Sequence, residues 1–410
     1  MSDEFWQLAE IIMPKVWMHQ ASLILSIALC ASPANIYAQT ALTEEAAIQR
    51  ALQQEGIAER DDADQRAASA QTDIIGPLAN PDLEVGYEGG SESEWQLRVV
   101  QPIDLYGVRS ARRDAAQADA VAAGGDIERR RQLLVAEVRT SYVRCAAGAG
   151  QLSIWERYVE RLEEAERVST ERANAGDAAG YDVRRVRVQL SAARAERLRT
   201  TGERDANCAL LSALTGVPDP QVPLEAITDL DTARQTGERP DLIAQQQRIA
   251  AANYRVSAAR RARLPQLALG AGVRRVDDGF STDYGPLISL GISLPIWNGG
   301  GAAVRRQEAA RASLEADLAI ATRQIEAEQN AARSRASSAR EAAIAAMQTR
   351  DDASRLGAIA DTAYQSGEIS VVELLDAYEA ERDADLLVIS LALDAALAAT
   401  QYDLAIGRTD

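Results

Sequence analysis

Few side chains in this chain could do chemistry, and their placement limits what that chemistry is. The single histidine, His19, lies in an N-terminal stretch with the features of an export signal, so the mature chain carries no imidazole. A Ser-His-Asp triad, a Cys-His dyad and a histidine-based zinc site are thereby excluded. Two cysteines remain past that stretch, Cys145 and Cys208, which lie 31 residues before and 32 after Gly176. An antiparallel hairpin turning at Gly176 sets them at similar height. Cys145 is in register with Val138, Leu152 and Val159, the seven-residue spacing of a coiled-coil seam. In an oxidising compartment a disulfide is open to the two cysteines if their Cα atoms lie within about 7 Å. Two buried free thiols are the reading preferred from sequence. Glu373 and Asp376, three apart, fall on one helical face, where carboxylates ordinarily meet solvent. Asn298-Gly299-Gly300-Gly301 has the glycine content of a phosphate loop, but no Lys-Ser/Thr follows. Nothing arranges the many carboxylates as a catalytic or metal site, so an enzyme is the weakest class and no cofactor or metal is implied.

The elements that must position these residues are two Ala- and Arg-rich stretches, Gly107 to Ala173 and Gly300 to Ser366. Neither contains a proline, and summed helix propensity is high throughout. At 1.5 Å per residue each predicts a helix of about 100 Å, the length of a coiled coil or helical tube rather than of a globular helix. Aromatics are only 4% of residues, which suits closely packed Ala-rich helices. The net charge of −17 argues against nucleic acid as a partner.

Leu23 to Cys30 is a short apolar run preceded by Lys15 and His19, too short for a spanning helix. Ile36-Tyr37-Ala38 before Gln39 forms a signal-peptidase site, so residues 1–38 are expected to be removed. The acidic first residues fit a signal poorly, which points to a start at Met13 or Met18. Leu29 stands where a lipoprotein signal needs a small residue before the modified cysteine, which argues against lipidation of Cys30. No later run is long and apolar enough for a transmembrane helix, so membrane entry would have to be by β-strands.

Thr43-Glu44-Glu45 opens a helix expected to run to about Ile75, where Gly76-Pro77 and Asn80-Pro81 break it. From Asp82 the period becomes two. Leu83, Val85 and Tyr87 alternate with acidic residues and glycine, a turn at Gly89-Gly90-Ser91 follows, and Trp95, Leu97 and Val99 alternate with Gln96 and Arg98. The second half repeats this. A helix from about Asp241 to Arg263 stops at Leu264-Pro265, Leu267 to Val273 alternate with small residues, a polar loop spans Arg274 to Tyr284, and Ile288 to Leu294 alternate again. Pro102 matches Pro295 and Gly107 matches Gly300, each 193 residues on, while Gly176 matches Gly367 and Gly216 matches Gly407, each 191 on. The chain therefore reads as a tandem duplication: residues 39–220 with strands at about 82–103 and a helical hairpin at 107–215, then residues 221–410 with strands at about 266–296 and a hairpin at 300–404.

Strands with one apolar and one small-or-polar face are the signature of a transmembrane barrel around a wet lumen. Four of them cannot close, and open edges in lipid cost several kcal/mol per unpaired group, so several chains must share one barrel. Three chains supply twelve strands, continued by a helical tube. The expected fold is thus mostly α with a pair of transmembrane β-hairpins, a duplicated helix-strand-strand-long helix-helix unit, and a trimeric twelve-stranded barrel on a periplasmic α-helical barrel. A periplasmic adaptor also uses a long hairpin, but a single one flanked by other β-domains. A coiled-coil scaffold has no need of four alternating strands.

Arg239-Pro240-Asp241-Leu242, Ala258-Ala259-Arg260, Leu264-Pro265-Gln266-Leu267, Ser293-Leu294-Pro295-Ile296-Trp297-Asn298-Gly299-Gly300, Tyr364-Gln365-Ser366-Gly367 and Glu373-Leu374-Leu375-Asp376-Ala377 resemble, in order and spacing, the TolC-type outer-membrane efflux factors. The resemblance covers the mature chain from Leu42-Thr43-Glu44-Glu45-Ala46 onward. It implies a homotrimeric channel-tunnel in outer-membrane lipid of a Gram-negative bacterium, joined through a periplasmic adaptor (membrane fusion) protein to an inner-membrane pump of the RND type. Asn80-Pro81-Asp82-Leu83-Glu84-Val85 with Gln101-Pro102-Ile103-Asp104-Leu105 is similar to the heavy-metal cation efflux branch; drugs or other small molecules stay open as cargo. By the same resemblance Glu373 and Asp376 ring the pore aperture, where carboxylates favour cations. Tyr364 helps hold the closed state, and Gly176 and Gly367 at the tips receive the adaptor. The family's arginine two residues past the second tip glycine is replaced by Ile369, which puts a family-style closed-state ion pair in doubt and shifts gating toward packing.

Overall fold

A computed structural model describes residues 41–90, 92–176, 179–228 and 238–408. The export segment 1–38, Ser91 of the first strand turn and Asp177 beside the first tip glycine lie outside the described residues.

Helix α1 (Glu44–Leu52) begins as its sequence dictates, with the Thr43 hydroxyl accepting from the Ala46 N–H at 3.3 Å. It does not continue to Ile75. Gly56 adopts φ +88°, and a separate α2 (Ile57–Ile75) starts there. The break lets α1 sink Ala47 and Ala51 into the middle core while α2 lies along the long helix and buries only Asp61. Glycine takes the left-handed turn without the penalty a Cβ would bring.

Strands β1 (Asp82–Glu88), β2 (Ser93–Ile103), β3 (Gln266–Asp277) and β4 (Thr282–Ser293) form one antiparallel sheet in sequence order. Register places Leu83 opposite Val99, Val85 opposite Leu97 and Tyr87 opposite Trp95, then Leu97 opposite Val273 and Leu269 opposite Leu290. These residues gather on one face and stay exposed, Val85 by 65% and Leu290 by 62%. The opposite face carries Glu84, Arg98, Gly270, Gly272 and Ser289, with Arg98 Nε donating to Glu84 at 2.9 Å. The expected polar loop from Arg274 to Tyr284 shrinks to residues 278–281, because the ladder continues through charged residues at the water end of the sheet. There the Asp278 carboxylate accepts from the Phe280 and Ser281 N–H groups and closes a tight turn.

Each hairpin feeds a long helix without interruption: α3 (Val108–Ala175, 68 residues) and α7 (Gly301–Ser366, 66 residues). Each long helix returns as a 36-residue partner, α4 (Gly180–Thr215) after α3 and α8 (Val371–Ile406) after α7. A short α5 (Glu225–Thr228) and α6 (Pro240–Arg261) complete the chain. The long helices are not equivalent. α3 buries 24 residues and touches α1, α2, α4, α6 and α8, whereas α7 buries eight and packs chiefly on α6 and α8. The two largest apolar clusters among the described residues lie along α3. The middle one joins Val138, Tyr142 and Ile154 of α3 to Leu211 of α4, Ile389 and Ala392 of α8 and α1; the tip one joins Tyr158 and Leu162 to Leu190, Tyr364, Leu374, Leu375 and Tyr378. No helix among the described residues is long and apolar enough to cross a membrane.

Cys145 and Cys208 sit in the middle cluster with Cα atoms 4.7 Å apart and their sulfurs bonded, in place of the two free thiols preferred from sequence. Spacing set their height; the facing of α3 and α4, which spacing does not reveal, set their contact. Thiol titration of denatured, unreduced mature protein is expected to find no free group. Closing a loop of 63 residues gives about 4 kcal/mol by chain entropy, so Cys145→Ser should lower stability by that order. Two titratable thiols would overturn the bond.

Candidate functional site at the helical tip

Each long helix ends in a left-handed glycine, Gly176 with φ +88° and Gly367 with φ +82°. Gly367 N–H donates to the Tyr364 carbonyl and Glu368 N–H to that of Ala363, which satisfies carbonyls that the end of α7 would otherwise leave unpaired. A Cβ on either glycine would meet nothing within 4 Å, so both turns are open to the surroundings.

α8 starts immediately after. The Ser370 N–H and hydroxyl both donate to Glu373 Oε2, at 2.7 and 2.9 Å, and the Glu373 N–H returns to the Ser370 hydroxyl at 3.4 Å. This is a capping box. The Ser370-Val371-Val372-Glu373 spacing is a local sequence signature of such a box, and it gives Glu373 a structural task beside any role in the pore. The Ser370 N–H bond holds the Glu373 carboxyl below its ordinary value of 4.5. Asp376 lies one turn on, exposed like Glu373, while Leu374, Leu375, Ala377 and Tyr378 turn into the tip cluster. The two carboxylates therefore share the unburied face of α8.

Tyr364 is buried, and its hydroxyl hydrogen-bonds the Ser169 hydroxyl of α3 at 2.9 Å. The Arg172 guanidinium lies 4.6 Å from the centre of its ring and donates to the Tyr364 carbonyl at 2.7 Å and that of Gln365 at 3.2 Å. A cation at the last carbonyls of a helix also complements its dipole. Ile369, standing where the family has arginine, packs against the tip cluster instead. Arg172 brings a positive charge to this tip from the other hairpin, a contact no local sequence signal reveals because 192 residues separate it from Tyr364. Cys145 and Cys208 lie apart from this site, in the middle cluster. Among the described residues no group of three or more His, Cys, Asp or Glu side chains is placed to hold a metal.

A sheet with an exposed apolar face, continued by unbroken rods that end in open glycine turns, defines an outer-membrane protein of the channel-tunnel fold. Residues 45–217 and 233–408 both match the profile of the outer membrane efflux protein family, and the chain belongs to that family, whose members are transport components and not enzymes. It is 27% identical over 242 residues to the nickel-cobalt-cadmium resistance protein NccC of Alcaligenes xylosoxydans xylosoxydans, a match covering 55% of this chain and 54% of that one. It is 26% identical over 271 residues to outer membrane protein OprJ of Pseudomonas aeruginosa, covering 60% and 56%. The chain thus spans about half the length of the curated relatives it matches. The open state of the MtrE outer membrane channel of Neisseria gonorrhoeae shares its fold, with a TM-score of 0.75 at 17% identity over 90% of this chain and 89% of that one.

Because the folded state favours ionised Glu373, the box's contribution is complete above the ordinary carboxylate range and fades as pH falls through the lowered pKa. Ser370→Ala removes the hydroxyl but keeps the backbone N–H donor, so the Glu373 titration should rise only part of the way toward 4.5, followed by isotope-edited infrared spectroscopy, and the lost cap should cost about 1 kcal/mol. A Glu373 midpoint that does not move contradicts the box.

Proposed function

We propose that three copies of this chain form a passive exit duct through the outer membrane, taking small solutes from a periplasmic adaptor and an inner-membrane pump to the outside. The observation that carries this is the open four-stranded sheet, apolar on its exposed face and fused to two rods. β1 and β4 are its edges, and in lipid their outward backbone groups find partners only on strands of another copy. The duplication supplies the helical counterpart. α6 packs against both α3 and α7, and α2 packs against α3. Since the repeat equates α2 with α6 and α3 with α7, the bare flank of α7 is the place for the next copy's α2. Val188 of α4 and Ile359 of α7, exposed by 72% and 66%, are apolar positions suited to the same junction nearer the tip.

At the tip, Glu373 and Asp376 supply six carboxylates to the aperture of the trimer, a ring that favours cations. Tyr364, held by Ser169 and Arg172, steadies the end of α7 beside it. The open turns at Gly176 and Gly367 receive the adaptor. The likeness to a nickel-cobalt-cadmium resistance protein, with the Asn80–Leu105 hairpin resemblance, favours metal cations as cargo; the RND-type pump as the engine rests on the family resemblance alone.

In planar bilayers the purified protein should form cation-selective pores, and Glu373→Ala with Asp376→Ala should weaken that selectivity while pores remain. Protein that stays soluble without detergent and never conducts would reject the duct.

A further inference from the structure

Between the two apolar clusters, the seam where α8 meets α3 changes character. Residues 379–385 of α8 belong to neither cluster, and the chain there reads Glu-Ala-Glu-Arg-Asp-Ala-Asp. Asp385 is 8% exposed and held from both sides: Arg157 of α3 donates to one oxygen and Arg350 of α7 to the other, each at 2.7 Å. One turn toward the tip, Glu381 pairs with Arg161 of α3, whose guanidinium also lies 5.1 Å from the Tyr378 ring centre. The Glu381 carboxylate lies where α7 has no side chain, since a Cβ on Gly357 would collide with Glu381 Oε2. A cavity of about 130 Å³ opens among these residues.

The chemistry of this waist differs from that of the seam above and below it. Apolar ridges interdigitate, but they offer a helix several registers of similar energy, and here a cavity takes their place. The two carboxylates are largely buried while their guanidinium partners stay partly exposed, so the pairs add little net stability; the best-attested use of such ionic groups in a helix seam is to fix register. Asp385 and Glu381 tie α8 to named partners on α3, and Asp385 also ties it to α7. Glu381 is five residues, about 7.5 Å of rise, from Asp376.

We propose that Asp385 and Glu381 are positioning residues for the tip: their ion pairs hold α8 in the register that presents Glu373 and Asp376 to the passage. The proposal rests on the reading of those two carboxylates as the aperture. Breaking the waist leaves the tip residues in the chain but lets α8 shift, so the aperture should widen and discriminate less between ions.

The test compares single-channel conductance and reversal potential in a potassium chloride gradient for wild type, Asp385→Asn, Glu381→Gln and Gly357→Ala, with trimer retention checked by native electrophoresis. Gly357→Ala alters no charge and raises helix propensity, yet its methyl displaces the Glu381 carboxylate, so it remains informative if Asp385→Asn fails to fold. The expected result is retained trimers with several-fold higher conductance and weaker cation selectivity in Glu381→Gln and Gly357→Ala alike. Restoring the pair in reversed order, Arg161→Glu with Glu381→Arg, should bring selectivity back toward wild type, which loss of packing alone would not do. Folded variants that conduct and select as wild type does overturn the positioning role. If instead wild-type selectivity ignores Glu373→Ala with Asp376→Ala, the aperture reading itself has failed.

Discussion

A peptide group in hydrocarbon has no water to bond, and this constraint shapes the molecule from its sheet outward. Each described strand is paired within the chain, but β1 and β4 are each paired on one side only. With an apolar face turned to the surroundings, that sheet cannot stand alone in a membrane; its two edges call for further strands, which the proposed trimer would supply. Leu83, Val85, Leu97 and Ile288 suit lipid, while the glycines and the Arg98–Glu84 pair behind them suit a wet interior.

The rods carry the same requirement for a neighbour beyond the sheet. α3 is the spine of the protomer, covered along its length and covalently tied to α4 at mid-height. α7 is the opposite case, a 66-residue helix that buries only eight residues within its own chain and needs a neighbour to cover it. The second hairpin is therefore attached mainly through α8, by apolar clusters at the middle and the tip and by the charged waist between them. Fixed first hairpin, more lightly held second hairpin: this inequality arises within a duplicated sequence because the two copies differ in what they bury.

Most of this architecture was legible in the sequence, for identifiable reasons. Proline stops, a switch from helical period to period two, and offsets of 193 and 191 between matching motifs are local or self-referential signals, and they located the strands, rods and tip turns. The misses share a cause as well. The ladder beyond Arg274 stayed hidden because polar residues in water read as loop, whether or not their backbone is paired. The end of α1 depended on how α1 and α2 divide the surface of α3. Arg172 beside Tyr364, the clasp on Asp385 and the Cys145–Cys208 bond are contacts between helices far apart in sequence, set by helix facing that spacing alone does not determine. The capping box at Ser370 is different: its signal, a serine three residues before Glu373, is local and legible in the sequence.

The central claim, that the open sheet is one part of a shared barrel, is tested most directly by counting copies. Native mass spectrometry of the mature protein released from detergent should give a single trimeric species, stable until the sheet itself is denatured. A monodisperse monomer that retains its strands in lipid would contradict it, since four strands would then have satisfied their edges alone.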